Sequence, residues 1–279
     1  MMKKIPFMKF SGAGNDFIVI DNRHRVIQPK AAPSFVAHVC RHHLSVGADG
    51  LIFIEKSRKA DFRWRFFNDD GGEASFCGNG ARCAARFAYL KKIAPKTMRF
   101  EGTAGIVEAE VHGYRVTVRV PDPSAPQLNL HVPIEGIVHE GHIINTGVPH
   151  CVYFVPDTVQ ADVLGVGRAT RFHKMFTPDG SNVNFAQVVD RHTIHLRTYE
   201  RGVEAETLAC GSGSIAAALI AALVHKIESP VTVVPKSSLP LIITFRRDGE
   251  RFMEVTLTGE ARAIYDGLMR ADAWEYEMP

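Results

Sequence analysis

No apolar run in the 279-residue chain reaches the ~18 residues needed to span a membrane; the longest candidate lies around Ile215–Val224. The N-terminal Met1-Met2-Lys3-Lys4-Ile5-Pro6 has basic residues without a long apolar segment behind them, so no signal peptide is expected. Charge of one sign is missing too. Lys plus Arg number 33 and Asp plus Glu 30, a net charge of +3 with no long basic run. This balance argues against a nucleic-acid partner and against an anionic membrane surface. Low-complexity tracts are absent, and 46% hydrophobic residues set disordered and fibrous classes aside. Cysteine is scarce. Five is an odd number and too few for a disulfide scaffold in this length, so a cytoplasmic protein with reduced thiols is expected. No Cys-x-x-Cys occurs, which argues against a thiol redox protein and against paired zinc ligands. At roughly 150 residues per domain, the length fits one large domain or two modest ones.

The chain does contain a long internal repeat. Cys77-Gly78-Asn79-Gly80 recurs as Cys210-Gly211-Ser212-Gly213, an offset of 133 residues (77 to 210). The same offset carries Gly14 onto Gly147, Gly47 onto Gly180 and Glu73 onto Glu206. Four matches in one order at one offset argue for two homologous halves, each with its own core. The period is far too long for a solenoid.

Each half reads mostly as strands. Phe7–Phe10, Phe17–Ile20, Tyr114–Val120, His142–Asn145, Cys151–Val155, Thr193–Tyr199 and Arg251–Leu257 have strand-like patterns. Helices are expected over Pro33–Leu44, Ala81–Lys92 and Ser214–Lys226. The last is apolar almost all round and is expected as a buried central helix. The fold class is therefore α+β: two strand-rich sheets, each wrapped on one core helix. Pro121–Pro126 is the linker candidate, and Tyr265–Pro279 is a candidate to return to the first half. The expected lobes are 1–122 plus 265–279, and 123–264.

In both halves a strand leads through a polar loop into Cys-Gly-x-Gly and then a helix. Each cysteine thus falls at a helix N-terminus, where unpaired N–H groups and partial positive charge favour a thiolate. The dipole alone contributes only about 0.3–1 kcal/mol at an exposed site, so neighbours must help. The glycines let the backbone approach a carboxylate or phosphate closely. Two such cysteines, across a ligand in the cleft between halves, suggest acid/base chemistry. One thiolate takes a proton from one face of a carbon, and the other thiol returns one to the opposite face. The helix N-termini would stabilise the enolate-like charge. Cys40, Cys83 and Cys151 sit in apolar stretches and read as core. The Cys77–Cys83 spacing of six fits zinc poorly, and no metal is expected. Gly12-Ala13-Gly14 precedes a strand rather than a helix, which argues against a dinucleotide site.

With these motifs in view, the sequence resembles the diaminopimelate epimerases nearly end to end. The likeness is carried by Lys9–Asp21, Gly47–Leu51, Phe67–Cys83, Asn145–His150, Gly180–Phe185, Tyr199–Gly213 and Tyr265–Gly267. The resemblance implies two pseudo-symmetric lobes and a homodimer. It implies cofactor-independent interconversion of L,L- and meso-diaminopimelate in lysine and peptidoglycan-precursor synthesis. By the same resemblance Cys77 and Cys210 are the acid/base residues. Gly78, Asn79, Gly211 and Ser212 bind the carboxylate at the reacting carbon. Asn15, Asn68, Asn182, Glu200 and Arg201 line the substrate site. His150 and Glu200 tune the cysteines, and Tyr265 is a dimer contact. The chemistry of these side chains suits the far end of the substrate: Arg201 can grip a carboxylate, Glu200 an ammonium. Asn68 aligns with Arg201 across the repeat.

Three places depart from the commonest family pattern. Val148 stands where the family's Asn-Pro-His turn has its Asn. Pro235-Lys236-Ser237-Ser238-Leu239 replaces Pro-Gly-Gly-x-Leu. The loop from Arg201 to Cys210 looks about one residue longer than the commonest form. These bear on substrate selectivity more than on reaction type. The alternative is a related two-cysteine racemase of another amino acid. Proline racemase-like enzymes also use two cysteines, and phenazine-synthesis isomerases share the architecture. Asn68 and Glu200-Arg201 argue for a charged far end and so against proline. Both cysteines argue against the isomerases.

Overall fold

The computed structural model describes residues 4–74 and 76–277. The expected ends of the first lobe, at Met1 and Pro279, lie outside the described residues, as does Ser75 in the first cysteine motif. The chain is α+β and divides into two units. One holds the residues up to Val118 and from Gly259 onward; the other is Arg119–Thr258.

In the first unit, Ile5–Gly12 pairs antiparallel with both Asn15–Asp21 and the late strand Arg262–Met269. Asn15–Asp21 lies parallel to Gly50–Glu55, with the helix Ala32–Val39 in the connection. Gly50–Glu55 pairs antiparallel with Phe62–Asn68, which is parallel to Thr97–Gly102. The helix Gly78–Leu90 makes that crossover. Gly105–His112 and Arg115–Arg119 continue antiparallel.

The second unit follows the same pairing rule. Ile137–Asn145 is antiparallel to Gln127–Ile134 and to Pro149–Phe154. Pro149–Phe154 is parallel to Asn182–Val188 across the helix Gly165–Arg171. Asn182–Val188 is antiparallel to Thr193–Glu200, which is parallel to Val231–Pro235 across the helix Gly211–Val224. Leu241–Asp248 and Arg251–Glu260 close the series antiparallel. The strand Arg262–Met269 beside Ile5–Gly12 comes from late in the chain, whereas its counterpart Gln127–Ile134 opens its own unit.

The boundaries have a backbone cause. Val120 N–H already donates to the Val255 carbonyl (3.0 Å), so the chain has joined the second unit before the expected residue 122. Ala261 N–H donates to the Tyr114 carbonyl (2.8 Å), so it is back in the first unit before residue 265. Pro121–Pro126 carries no regular structure.

Both core helices start three residues earlier than propensity suggests. The glycines of Cys-Gly-x-Gly are the first helical turn itself, because each cysteine sulfur caps it. Ala32–Val39 ends five residues early: its apolar face is used up by Phe35, Val36, Val39 and Cys40, and His43 takes a left-handed turn (φ 68°). Helix Gly165–Arg171 gives little sequence signal. Gly167 is required there because a Cβ would come 2.7 Å from the Cβ of Tyr199. One side of the first unit packs Ile5, Ile18, Phe35, Val36, Phe53 and Phe67 together. The matching cluster of the second unit is Val132, Cys151, Tyr153, Val183, Phe185 and Tyr199. No helix among the described residues is long and apolar enough to cross a membrane.

Candidate active site

Each core helix begins on a thiol. Cys77 is extended (φ −146°, ψ 116°) and its Sγ accepts the Gly80 N–H at 3.4 Å. Cys210 is extended (φ −113°, ψ 112°) and its Sγ accepts the Gly213 N–H, also at 3.4 Å. The helical ladders open with Ala81 N–H to the Cys77 carbonyl and Ser214 N–H to the Cys210 carbonyl. The N–H groups of Gly78, Asn79, Gly211 and Ser212 therefore precede the first i→i−4 bond of their helices and lie at the positive end. That arrangement suits a carboxylate. Gly213 is tightly constrained: a Cβ would meet Asn184 Oδ1 at 2.3 Å.

The other three thiols behave differently. Cys40, Cys83 and Cys151 are at most 1% exposed. Burial pushes Cys83 and Cys151 up to about 12 and raises Cys40 further, so all three are neutral near pH 7.

In the second unit, His150 pairs across strands with Asn182. Asn182 Nδ2 donates to the Pro149 carbonyl (3.1 Å) and its Oδ1 accepts the Arg201 N–H (2.9 Å). The Asn182 amide thus fixes where Arg201 leaves its strand. The Arg201 guanidinium donates to the Asp179 carbonyl (3.2 Å). Glu200 is half-buried beside it, and its carbonyl accepts the Glu204 N–H (2.8 Å). Burial, with the Arg201 charge adding to it, lowers His150 to about 3, so its ring is neutral. The Asn184 amide donates to His150 Nδ1 (3.1 Å) and to the Cys151 carbonyl (3.0 Å), and accepts from the Thr198 hydroxyl (3.0 Å). With Nδ1 accepting, the ring proton is assigned to Nε2, a buried atom with no partner among the described residues. Thr146 Oγ1 donates to the Ser212 carbonyl (3.1 Å), tying the Val148 turn to the helix start.

In the first unit, a Cβ on Gly12 would touch the Asn79 carbonyl (3.0 Å) and Cys83 Sγ (3.1 Å). The first hairpin, whose turn leads from Gly12 into Asn15, therefore packs on the helix start. Asn15 Oδ1 is buried without a partner. Asn68 closes the turn to Gly72, accepting the Gly71 N–H at 3.0 Å. The side chains of Asn15 and Asn68 make no hydrogen bond among the described residues. Tyr265 is exposed on Arg262–Met269 and meets Phe7 edge to face at 5.9 Å. Asp16, His42 and Asp49 bring ligand-type atoms within 4.8 Å of one another. Lys9 already pairs with Asp16, and the two carboxylates accept each other's backbone N–H, so these partners account for the cluster.

Sequence reasoning passed over Arg82, Thr146, Asn184 and Thr198. Asn184 had a signal, a second polar amide between apolar neighbours in a strand (Val183-Asn184-Phe185). Arg82 had one too, a lone charge inside an Ala-rich helix.

Known proteins match the chain along most of its length. The diaminopimelate epimerase family model matches residues 7–123 and 142–264. The chain is 44% identical to diaminopimelate epimerase of Aquifex aeolicus, covering 97% of this chain and 99% of that one. It is 41% identical to that of Archaeoglobus fulgidus, over 99% and 100%. Solved structures share the fold at low identity. A phenazine biosynthesis protein of Bacillus anthracis superposes with a TM-score of 0.75 at 15% identity, covering 96% of this chain and 99% of that one. A hydroxyproline epimerase of Agrobacterium vitis gives 0.73 at 12%, over 98% and 94%. Matched along nearly its whole length by family and relatives alike, the chain belongs to the diaminopimelate epimerase family.

Proposed function

We propose that the chain interconverts L,L-diaminopimelate and meso-diaminopimelate without a cofactor, with Cys77 and Cys210 as its two acid/base groups. Family membership makes it an isomerase. The observation that carries the mechanism is the duplicated cap: one thiol, in one geometry, at the head of each core helix. One thiolate removes the α-proton; the other thiol delivers a proton to the opposite face, inverting the centre. The N–H groups of Gly78, Asn79, Gly211 and Ser212 hold the adjacent carboxylate and take up the charge that develops on it. The far carboxylate is gripped by Arg201, whose backbone Asn182 fixes. Glu200, Asn15 and Asn68 supply the remaining polar contacts, with the unpartnered Asn15 Oδ1 supporting that role. His150 acts as a neutral, rigid dipole beside the second cap. The exposed Tyr265, Ile264 and Leu268 of the strand Arg262–Met269 support self-association into a homodimer through that strand. Two working thiols require a reducing compartment, which supports a cytoplasmic location.

The test is incubation with L,L-diaminopimelate in deuterium oxide with no added cofactor. The expected result is the meso isomer with deuterium at the α-carbon. Absence of deuterium from the α-carbon overturns the epimerase reading. A panel of other amino acids in the same assay shows whether Val148 relaxes selectivity.

A further inference from the structure

Arg82 is an arginine with 0% exposure, one helical turn beyond Cys77. Its guanidinium donates to three neutral oxygens: the Gly78 carbonyl (3.2 Å), Asn79 Oδ1 (2.8 Å) and the Glu260 carbonyl (3.4 Å). Among the described residues no carboxylate forms an ion pair with it. A buried cation without a countercharge is costly, and a full guanidinium stays protonated in a protein. Two thiols feel its charge, Cys83 and Cys77. Cys83 is held neutral by burial. Cys77, partly exposed at the helix start, is left as the group able to supply a negative charge.

The surrounding charges do not displace this assignment. Arg86, from the same helix, is engaged with the Ala261 carbonyl. Asp16, from the strand Asn15–Asp21, is paired with Lys9 of the first strand. The Glu260 carboxylate is paired with Arg262 (2.6 Å), leaving its carbonyl to Arg82. The repeat offers its own control. The 133-residue offset places Ile215 at the Arg82 position, so the second helix has no such cation in its first turns.

We propose that Arg82 is a positioning residue of the reaction, the fixed countercharge of the Cys77 thiolate and the clamp that holds Asn79 at the head of the helix. The proposal rests on the acid/base reading of Cys77. It makes the two thiols unequal: a permanent positive charge favours the thiolate at Cys77, whereas the second core helix carries Ile215 at the equivalent position. It also gives the Asn79 side chain a partner that keeps the carboxylate-binding turn in place.

The test uses the full-length chain and a readout independent of turnover. Arg82→Gln keeps donors toward Gly78 and Asn79 and removes the charge; Arg82→Lys keeps the charge and loses the fork. Iodoacetamide labelling is followed site by site by mass spectrometry from about pH 6 to 9, where thiolate fraction sets the rate. Arg82→Gln is expected to slow Cys77 labelling at pH 7 by about tenfold and to move its curve to higher pH. Cys210 labelling is expected to stay within about twofold, and Arg82→Lys to restore Cys77 labelling to within about threefold. In turnover, Arg82→Gln should lower kcat at neutral pH with the acid limb moved up, and KM should change little. A folded Arg82→Gln chain whose Cys77 curve superimposes on the wild type overturns the proposal. If that variant does not fold, Arg82→Met is read by the same two outcomes. Should Cys77→Ser retain turnover, the acid/base reading fails while the labelling result still decides the role of Arg82 toward the thiol.

Discussion

The heads of the two core helices use the same cap and different surroundings. Cys77 and Cys210 each accept the N–H three residues on, at 3.4 Å in both. Around Cys77 lies a buried guanidinium that takes the Asn79 amide. On the side of Cys210 stand Ser212 Oγ at 3.5 Å from the sulfur, Asn184 against Gly213, and a His150 ring held uncharged. A repeat can thus hold backbone geometry constant while side chains set each thiol's field separately. A two-base inversion needs such a difference, because at any moment one thiol must be basic and the other acidic.

The comparison breaks most visibly if either cap is dispensable. Cys77→Ser and Cys210→Ser are each expected to cut turnover at least about a hundredfold, since a hydroxyl is far less acidic than a thiol. Circular dichroism should show the fold intact. Near-normal turnover in either variant sinks the two-base mechanism. At the next level, the caps differ in steric tolerance. Gly213→Ala drives a Cβ into Asn184 Oδ1 and should cost roughly 1–3 kcal/mol. Gly80→Ala meets nothing nearer than Trp64 at 3.4 Å, and helix propensity favours alanine, so its stability should be unchanged or higher by up to ~1 kcal/mol. Urea denaturation of both variants checks this; equal losses would mean the two heads are equally tight.

The neutral histidine gives a pH test. His150 is depressed to about 3, against an unfolded value near 6.5. The unfolded chain therefore binds a proton that the native chain refuses as pH falls below about 6.5. Its contribution to stability falls with falling pH, by about 1.4 kcal/mol per pH unit, until the native ring titrates near 3. His150→Gln should flatten the acid limb of the stability curve by that slope. Parallel acid limbs in wild type and variant would show that the ring is protonated in the native state.

How much of this was legible in the sequence depends on what each feature rests on. The 133-residue offset exposed the two halves and both thiols, because glycines and cysteines with fixed backbone duties leave fixed letters. The strand patterns gave the α+β class for the same reason. Helix starts were misplaced by three residues, since glycine propensity argues against a turn that a sulfur cap stabilises. The helix Gly165–Arg171 was missed because its glycine serves close packing on Tyr199 rather than a turn. Arg82 and Asn184 were passed over because their partners are backbone oxygens and amides distant in sequence, which composition and spacing do not encode.

The smallest expected difference concerns the acid that precedes each cysteine. Glu73 takes Arg65 in a two-pronged pair (2.9 and 2.6 Å), and Glu206 takes Arg197 likewise (2.6 and 2.9 Å). The second carboxylate also receives Lys236 at 2.7 Å and is only 8% exposed, against 33% for Glu73. Arg197 holds Glu206 below the usual carboxylate range, as Arg65 does for Glu73. Lys236 occupies the stretch where the commonest family pattern has glycines, and it adds a second cation to that acid. Exposed pairs contribute little after screening, so Glu73→Gln should cost under about 1 kcal/mol. Glu206→Gln strands two cations around a sheltered site and should cost roughly 1–2 kcal/mol. Added salt should shrink the first loss more than the second. If the two variants melt alike at every salt concentration, burial at Glu206 contributes nothing and the halves are energetically equivalent at this position.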